Sequence, residues 1–104
     1  MKASQPYDET VVEMLKADPE MADIYLATAL EEINQPGGQE ALLAALRQIA
    51  QAQGMANVAA RAGIPRESLY RALSPKGNPT IKTFLAVVHG AGLHLDVSRE
   101  PVTA

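Results

Sequence analysis

The sequence predicts an all-α protein: a helix-turn-helix bundle of about five helices, with an N-terminal helical extension and one short C-terminal strand. Three observations carry this prediction. The 104 residues are 47% hydrophobic but only 4% aromatic, with no Trp, so the core is drawn from Leu, Ile, Val, Ala and Met, a composition that favours helices. Apolar residues recur at helical spacing along most of the chain. Glycines and prolines cut that periodicity into short pieces, most clearly at Pro36-Gly37-Gly38.

Taken in order, Val11, Val12, Met14 and Leu15 suggest a short first helix. Asp18 reads as an N-cap with Pro19 at the first helical position. Met21, Ile24, Tyr25 and Ala29, widened by Leu26, Leu30 and Ile33, then extend a helix over roughly 19–34. A third helix covers about 39–53, with Leu42, Leu46 and Ile49 as its stripe, Leu43 beside it, and Gly54 as its stop. A short helix over 56–62 ends at Gly63, and another runs from Pro65 to about Leu73. The loop Ser74-Pro75-Lys76-Gly77-Asn78-Pro79 carries strong turn chemistry. Thr80 caps the last helix, to about Gly90, with Ile81, Phe84, Leu85 and Val88 expected to face inward. Leu93, Leu95 and Val97 alternate with His94, Asp96 and Ser98, which predicts one short strand.

Charge divides the chain. Residues 1–38 set two lysines against eight acids, a balance of −6; residues 39–92 set six basic residues against two acids, a balance of +4; residues 93–104 carry −1. The expected organisation is an acidic helical arm (1–38), a helix-turn-helix domain (39–98) and a tail (99–104). With no cysteine, disulfides, thiol nucleophiles and cysteine zinc sites are excluded. The polar N-terminus lacks a secretory signal, and no apolar run approaches the ~20 residues that cross a bilayer. The expected location is the cytoplasm, without a membrane partner.

The informative stretch is 55–73. Two short helices joined by a tight turn pack at a steep angle. Val58 and Ala62 share the buried face of the first, and Ala59 sits at the closest approach. Gly63 takes the turn position that needs a left-handed backbone, and Ile64, Leu69 and Leu73 anchor the second helix. That leaves Arg66, Glu67, Tyr70 and Arg71 outward, with Ser68 at the margin. Outward arginines on such a helix suit the major groove, where a guanidinium fork fits guanine O6 and N7. Asn57 stands near the start of the preceding helix, placed to bond a phosphate, and Lys76 and Asn78 are placed for the flanking backbone. Helix position alone does not show which side chain meets a base. Plainer readings stand beside these: Glu67 and Arg71, at i,i+4 spacing, as a solvated ion pair worth ~0.3–0.5 kcal/mol, and Tyr70 as half-buried packing.

The run Arg66-Glu67-Ser68-Leu69-Tyr70-Arg71-Ala72-Leu73-Ser74, followed by Gly77-Asn78-Pro79-Thr80, closely resembles the addiction-module antidote proteins. These are prophage-type DNA-binding proteins of the lambda-repressor-like (Xre/HigA-like) superfamily. Tyr25-Leu26, Ala29-Leu30-Glu31-Glu32 and Ala91-Gly92-Leu93-His94-Leu95 are similar to that family too, so the resemblance covers about residues 7–98. It implies a lambda-repressor-like fold and an antitoxin that binds a RelE/ParE-type toxin and represses its own operon. Pro65 stands where the family often has a capping Ser, and Asn57 where Gln is common, so the operator readout is expected to differ. The lead-in 7–15 is more helical and more acidic than the family's.

The arm has two readings. Its acidic face docks a basic partner, as the implied toxin is expected to be, or Met21, Tyr25 and Ala29 complete the chain's own core; residues 1–17 are expected to serve a partner or stay mobile. A lone strand over 93–98 is unstable and must pair within the chain, with the toxin or across a homodimer; two-fold half-site recognition favours the homodimer. No catalytic constellation is found. His89 and His94 match no metal spacing with Asp96, Ser68 and Ser74 have no histidine base at a recognisable spacing, and Gly37-Gly38 is a linker rather than a phosphate loop. The chain is expected not to be an enzyme and to need no cofactor or metal. Three readings follow: an autoregulatory antitoxin that binds double-stranded operator DNA and its toxin, a stand-alone phage-type repressor, or an interaction module that has lost DNA binding.

Overall fold

The computed structural model describes residues 6–100 and consists of six helices in that span: α1 (Pro6–Ala17), α2 (Met21–Glu31), α3 (Gly38–Gln53), α4 (Met55–Ala62), α5 (Arg66–Ala72) and α6 (Ile81–Gly90). Residues 1–5 of the expected arm and 101–104 of the expected tail lie outside the described residues.

Helix α3 is the centre. Leu42, Leu43, Ala45, Leu46, Ile49 and Ala50 are all buried, which covers more than one face, because α1, α2 and α4 all pack on this helix. Val11 and Leu15 of α1 and Ala22 and Leu26 of α2 join the same cluster as Val58, Ala59, Leu69, Leu73, Val87 and Val88. The acidic arm therefore shares its core with the basic body. Met21, Tyr25 and Ala29 pack against that core as partly buried side chains, while Ile24 remains 68% exposed.

Several expected details change. Asp18 does not cap α2: its own N–H still donates to the Met14 carbonyl at the end of α1, and its carbonyl accepts from Met21. With Asp18–Glu20 spent on the turn, α2 starts at Met21 rather than Pro19 and stops at Glu31 rather than Asn34. Gly38, expected in a linker, is buried as the first residue of α3. In α6 the inward set is Phe84, Val87, Val88 and Ala91; Ile81 is 78% exposed and Leu85 46%. Thr80 does cap this helix, its hydroxyl accepting from the Thr83 N–H at 3.1 Å. No strand is present among the described residues. Residues 93–98 run without regular secondary structure because no neighbouring strand offers them a ladder.

Candidate nucleic-acid interface

Helices α4 and α5 are joined by Gly63-Ile64-Pro65. Gly63 lies at φ 74°, the left-handed region, and its N–H closes α4 on the Ala60 carbonyl. Pro65 then sets an extended backbone at the N-cap of α5. Leu69 is fully buried and Leu73 nearly so, which fixes the roll of α5 about its axis. The opposite side follows from that anchoring: Arg66, Glu67, Tyr70 and Arg71 are exposed and Ser68 is half-buried.

Within that face, the Arg66 guanidinium lies 6.0 Å from the centre of the Tyr70 ring, at the limit of a cation–π contact. Tyr70 is 49% exposed. Glu67 and Arg71 form no ion pair despite their spacing, so both remain directed to solvent. After α5, the Ser74 hydroxyl donates to the Arg71 carbonyl and the Gly77 N–H to the Ser74 carbonyl, turning the chain so that Lys76 and Asn78 are exposed just beyond the helix end. Asn57 stands apart on α4. It is exposed, and its side-chain amide donates to the Gln53 carbonyl at 3.0 Å, which ties one of its N–H groups to the end of α3.

The six basic residues of the body fall into two groups. Arg47 donates to the Leu73 carbonyl, and Arg61 donates to the Gly90 carbonyl and to Gln53 Oε1, each at 2.7 Å. These two hold helices together. The side chains of Arg66, Arg71, Lys76 and Lys82 make no hydrogen bond or ion pair within the described residues. Lys82 was not singled out from the sequence. Its signal was its place in the first turn of α6, where the helix dipole prefers an acid. These four cations of the body fall between residues 66 and 82, whereas the described part of the arm exposes Glu9, Glu13, Asp18, Glu20, Asp23, Glu31 and Glu32. Charge is thus segregated along the folded chain as well as in the sequence.

Among the described residues no group of His, Cys, Asp and Glu side chains is placed to hold a metal ion, and no helix is long and apolar enough to cross a membrane.

Comparison with known proteins gives a family. Residues 3–99 match the family model described as "Probable addiction module antidote protein". An uncharacterised protein of Haemophilus influenzae is 40% identical over 92 residues, which covers 88% of this chain and 90% of that protein. No solved structure matches the chain.

Proposed function

This chain belongs to the probable addiction module antidote family, and from that premise we propose that it is the antitoxin of a type II toxin–antitoxin module. It binds double-stranded operator DNA as a homodimer, represses its own operon and neutralises a RelE/ParE-type toxin. The α4–turn–α5 unit within residues 39–98 acts as a lambda-repressor-like helix-turn-helix of prophage type, with α5 in the major groove. It acts by binding rather than catalysis, in the cytoplasm.

The observation that carries this reading is the division of the basic residues. Arg66 and Arg71 project from a helix anchored by Leu69 and Leu73, and Lys76 follows it, all without internal partners, while Arg47 and Arg61 are consumed by the fold. Arginine forks on an outward helix face match guanine edges, and unpaired lysines match phosphates. Glu67 suits a cytosine amino group, Ser68 and Tyr70 a base edge or phosphate, and Asn57 and Asn78 the flanking backbone.

The test is a salt-titrated binding assay on the chain's own promoter fragment against a scrambled duplex. Tight binding with a clear preference for the promoter supports the reading. Equal, weak binding to both duplexes contradicts it.

A further inference from the structure

Residues 93–97, Leu-His-Leu-Asp-Val, leave α6 without regular structure. All five residues line an open groove with Ile24, Ala27 and Leu30 of α2, and Val97 is 93% exposed. The backbone of this segment is only partly satisfied. Leu93 N–H donates to the Val88 carbonyl at 3.1 Å and Val97 N–H to the Asp96 carboxylate at 2.9 Å, whereas the N–H and C=O groups of His94, Leu95 and Asp96 have no partner within the described residues.

We propose that this edge is where a second copy of the chain docks, residues 93–97 pairing antiparallel with themselves about a two-fold axis through Leu95. The segment is complementary to itself in that register and in its pattern of free groups. With Leu95 opposite Leu95 of the second copy, Leu93 faces Val97 and His94 faces Asp96, twice over. In the paired strand, alternation puts every apolar pair on one face and both His–Asp pairs on the other.

The engaged N–H groups of Leu93 and Val97 suit the same register. An antiparallel ladder uses the N–H and C=O of every second residue. His94 and Asp96, whose groups are free, form the hydrogen-bonded pairs and make four bonds across the dimer. Leu93 and Val97, whose N–H groups are already engaged inside the chain, fall at positions that do not donate. Leu95 then forms a close, non-hydrogen-bonded pair with its copy, at a Cα separation of ~4.5 Å. The second copy covers Val97 and extends the apolar groove over Ile24. A strand supplied by the second copy also gives residues 93–97 the ladder that a single chain lacks.

This deepens the DNA-binding reading, which needs two copies to meet two half-sites, but its test uses no DNA, so either can fail alone. The native chain is expected to sediment as a dimer. His94→Asp places like charges opposite one another at both pairs and is expected to weaken dimerisation roughly tenfold or more. The exchange His94→Asp/Asp96→His restores the opposite pairing and is expected to recover the dimer. Both side chains are exposed, and the exchange gives up only the bond from Val97 N–H to the Asp96 carboxylate, so the fold is expected to be kept. Because the chain has no cysteine, Leu95→Cys gives a second readout: it should form a covalent dimer on mild oxidation, while Leu85→Cys, exposed on α6, should not. A monomeric native chain, an exchange variant as monomeric as His94→Asp, or Leu95→Cys cross-linking no better than Leu85→Cys overturns the proposal.

Discussion

The Arg47 guanidinium donates to the Leu73 carbonyl at 2.7 Å and lies 3.7 Å from the Asp8 carboxylate, so one side chain ties the end of α5 to α3 and to α1. Its neighbour Gln48 is buried and engaged on both ends of its amide, accepting from the Tyr25 hydroxyl and donating to Asp8. A buried amide satisfied in this way is specific about its partners, because either one lost leaves a polar group without water. The acidic arm is thereby locked to the helix that orients α5.

Removing Arg47 should therefore destabilise the whole fold. Arg47→Met is expected to cost about 1.5–3 kcal/mol, the range for hydrogen bonds to charged groups, since the Leu73 carbonyl loses its partner and Asp8 loses its ion pair. Urea denaturation followed by circular dichroism measures this, and a midpoint within error of the native protein contradicts it.

Gly90 sits at a close approach of α6 to α4. A Cβ there would meet the Val58 carbonyl oxygen at 2.7 Å and the Ala62 Cβ at 2.9 Å. Gly90→Ala forces the helices apart and should cost about 1–3 kcal/mol. At Gly63 space is open and only the left-handed backbone resists, so Gly63→Ala should cost about 1–2 kcal/mol. Thermal unfolding of the two variants side by side checks the order.

Much of the helical plan was legible because α3 to α6 are punctuated by residues with one dominant local meaning: Gly54 and Gly63 as stops, Pro65 and Thr80 as starts. The outward face of α5 was legible for a related reason, since Leu69 and Leu73 leave α5 a single roll. The face of α6 was not. Ile81, Phe84, Leu85 and Val88 obey helical spacing as well as Phe84, Val87, Val88 and Ala91 do, and only the position of α4 decides between them. Arg47 and Arg61 likewise look no different in sequence from Arg66 and Arg71; burial of the carbonyls they reach separates them. The strand at 93–98 failed for a third reason, because alternation describes a strand's faces but a ladder needs a partner.

The two faces of α6 can be weighed directly. Ile81→Ser and Leu85→Ser, both at exposed positions, should change stability by no more than about 0.5 kcal/mol. Leu69→Ala, at a fully buried position, should cost about 2–5 kcal/mol. A large loss at Ile81 contradicts the inward set assigned to this helix.

On DNA, the unpaired cations should separate by role. Lys76→Ala should weaken binding to any duplex and lower the slope of affinity against salt by about 1, the signature of a phosphate contact. Competition between the promoter and a scrambled duplex, repeated over several salt concentrations, distinguishes this from a change in base preference.

The central claim is that α5 reads DNA, and the most direct measurement compares the native chain with Arg66→Ala and Arg71→Ala on the promoter fragment. Both side chains are exposed and hydrogen-bonded to nothing inside the protein, so stability should be unchanged. An arginine that meets a base should lose about 1–3 kcal/mol of binding and relax the preference over a scrambled duplex. Promoter affinity and preference unchanged in both variants would contradict the account.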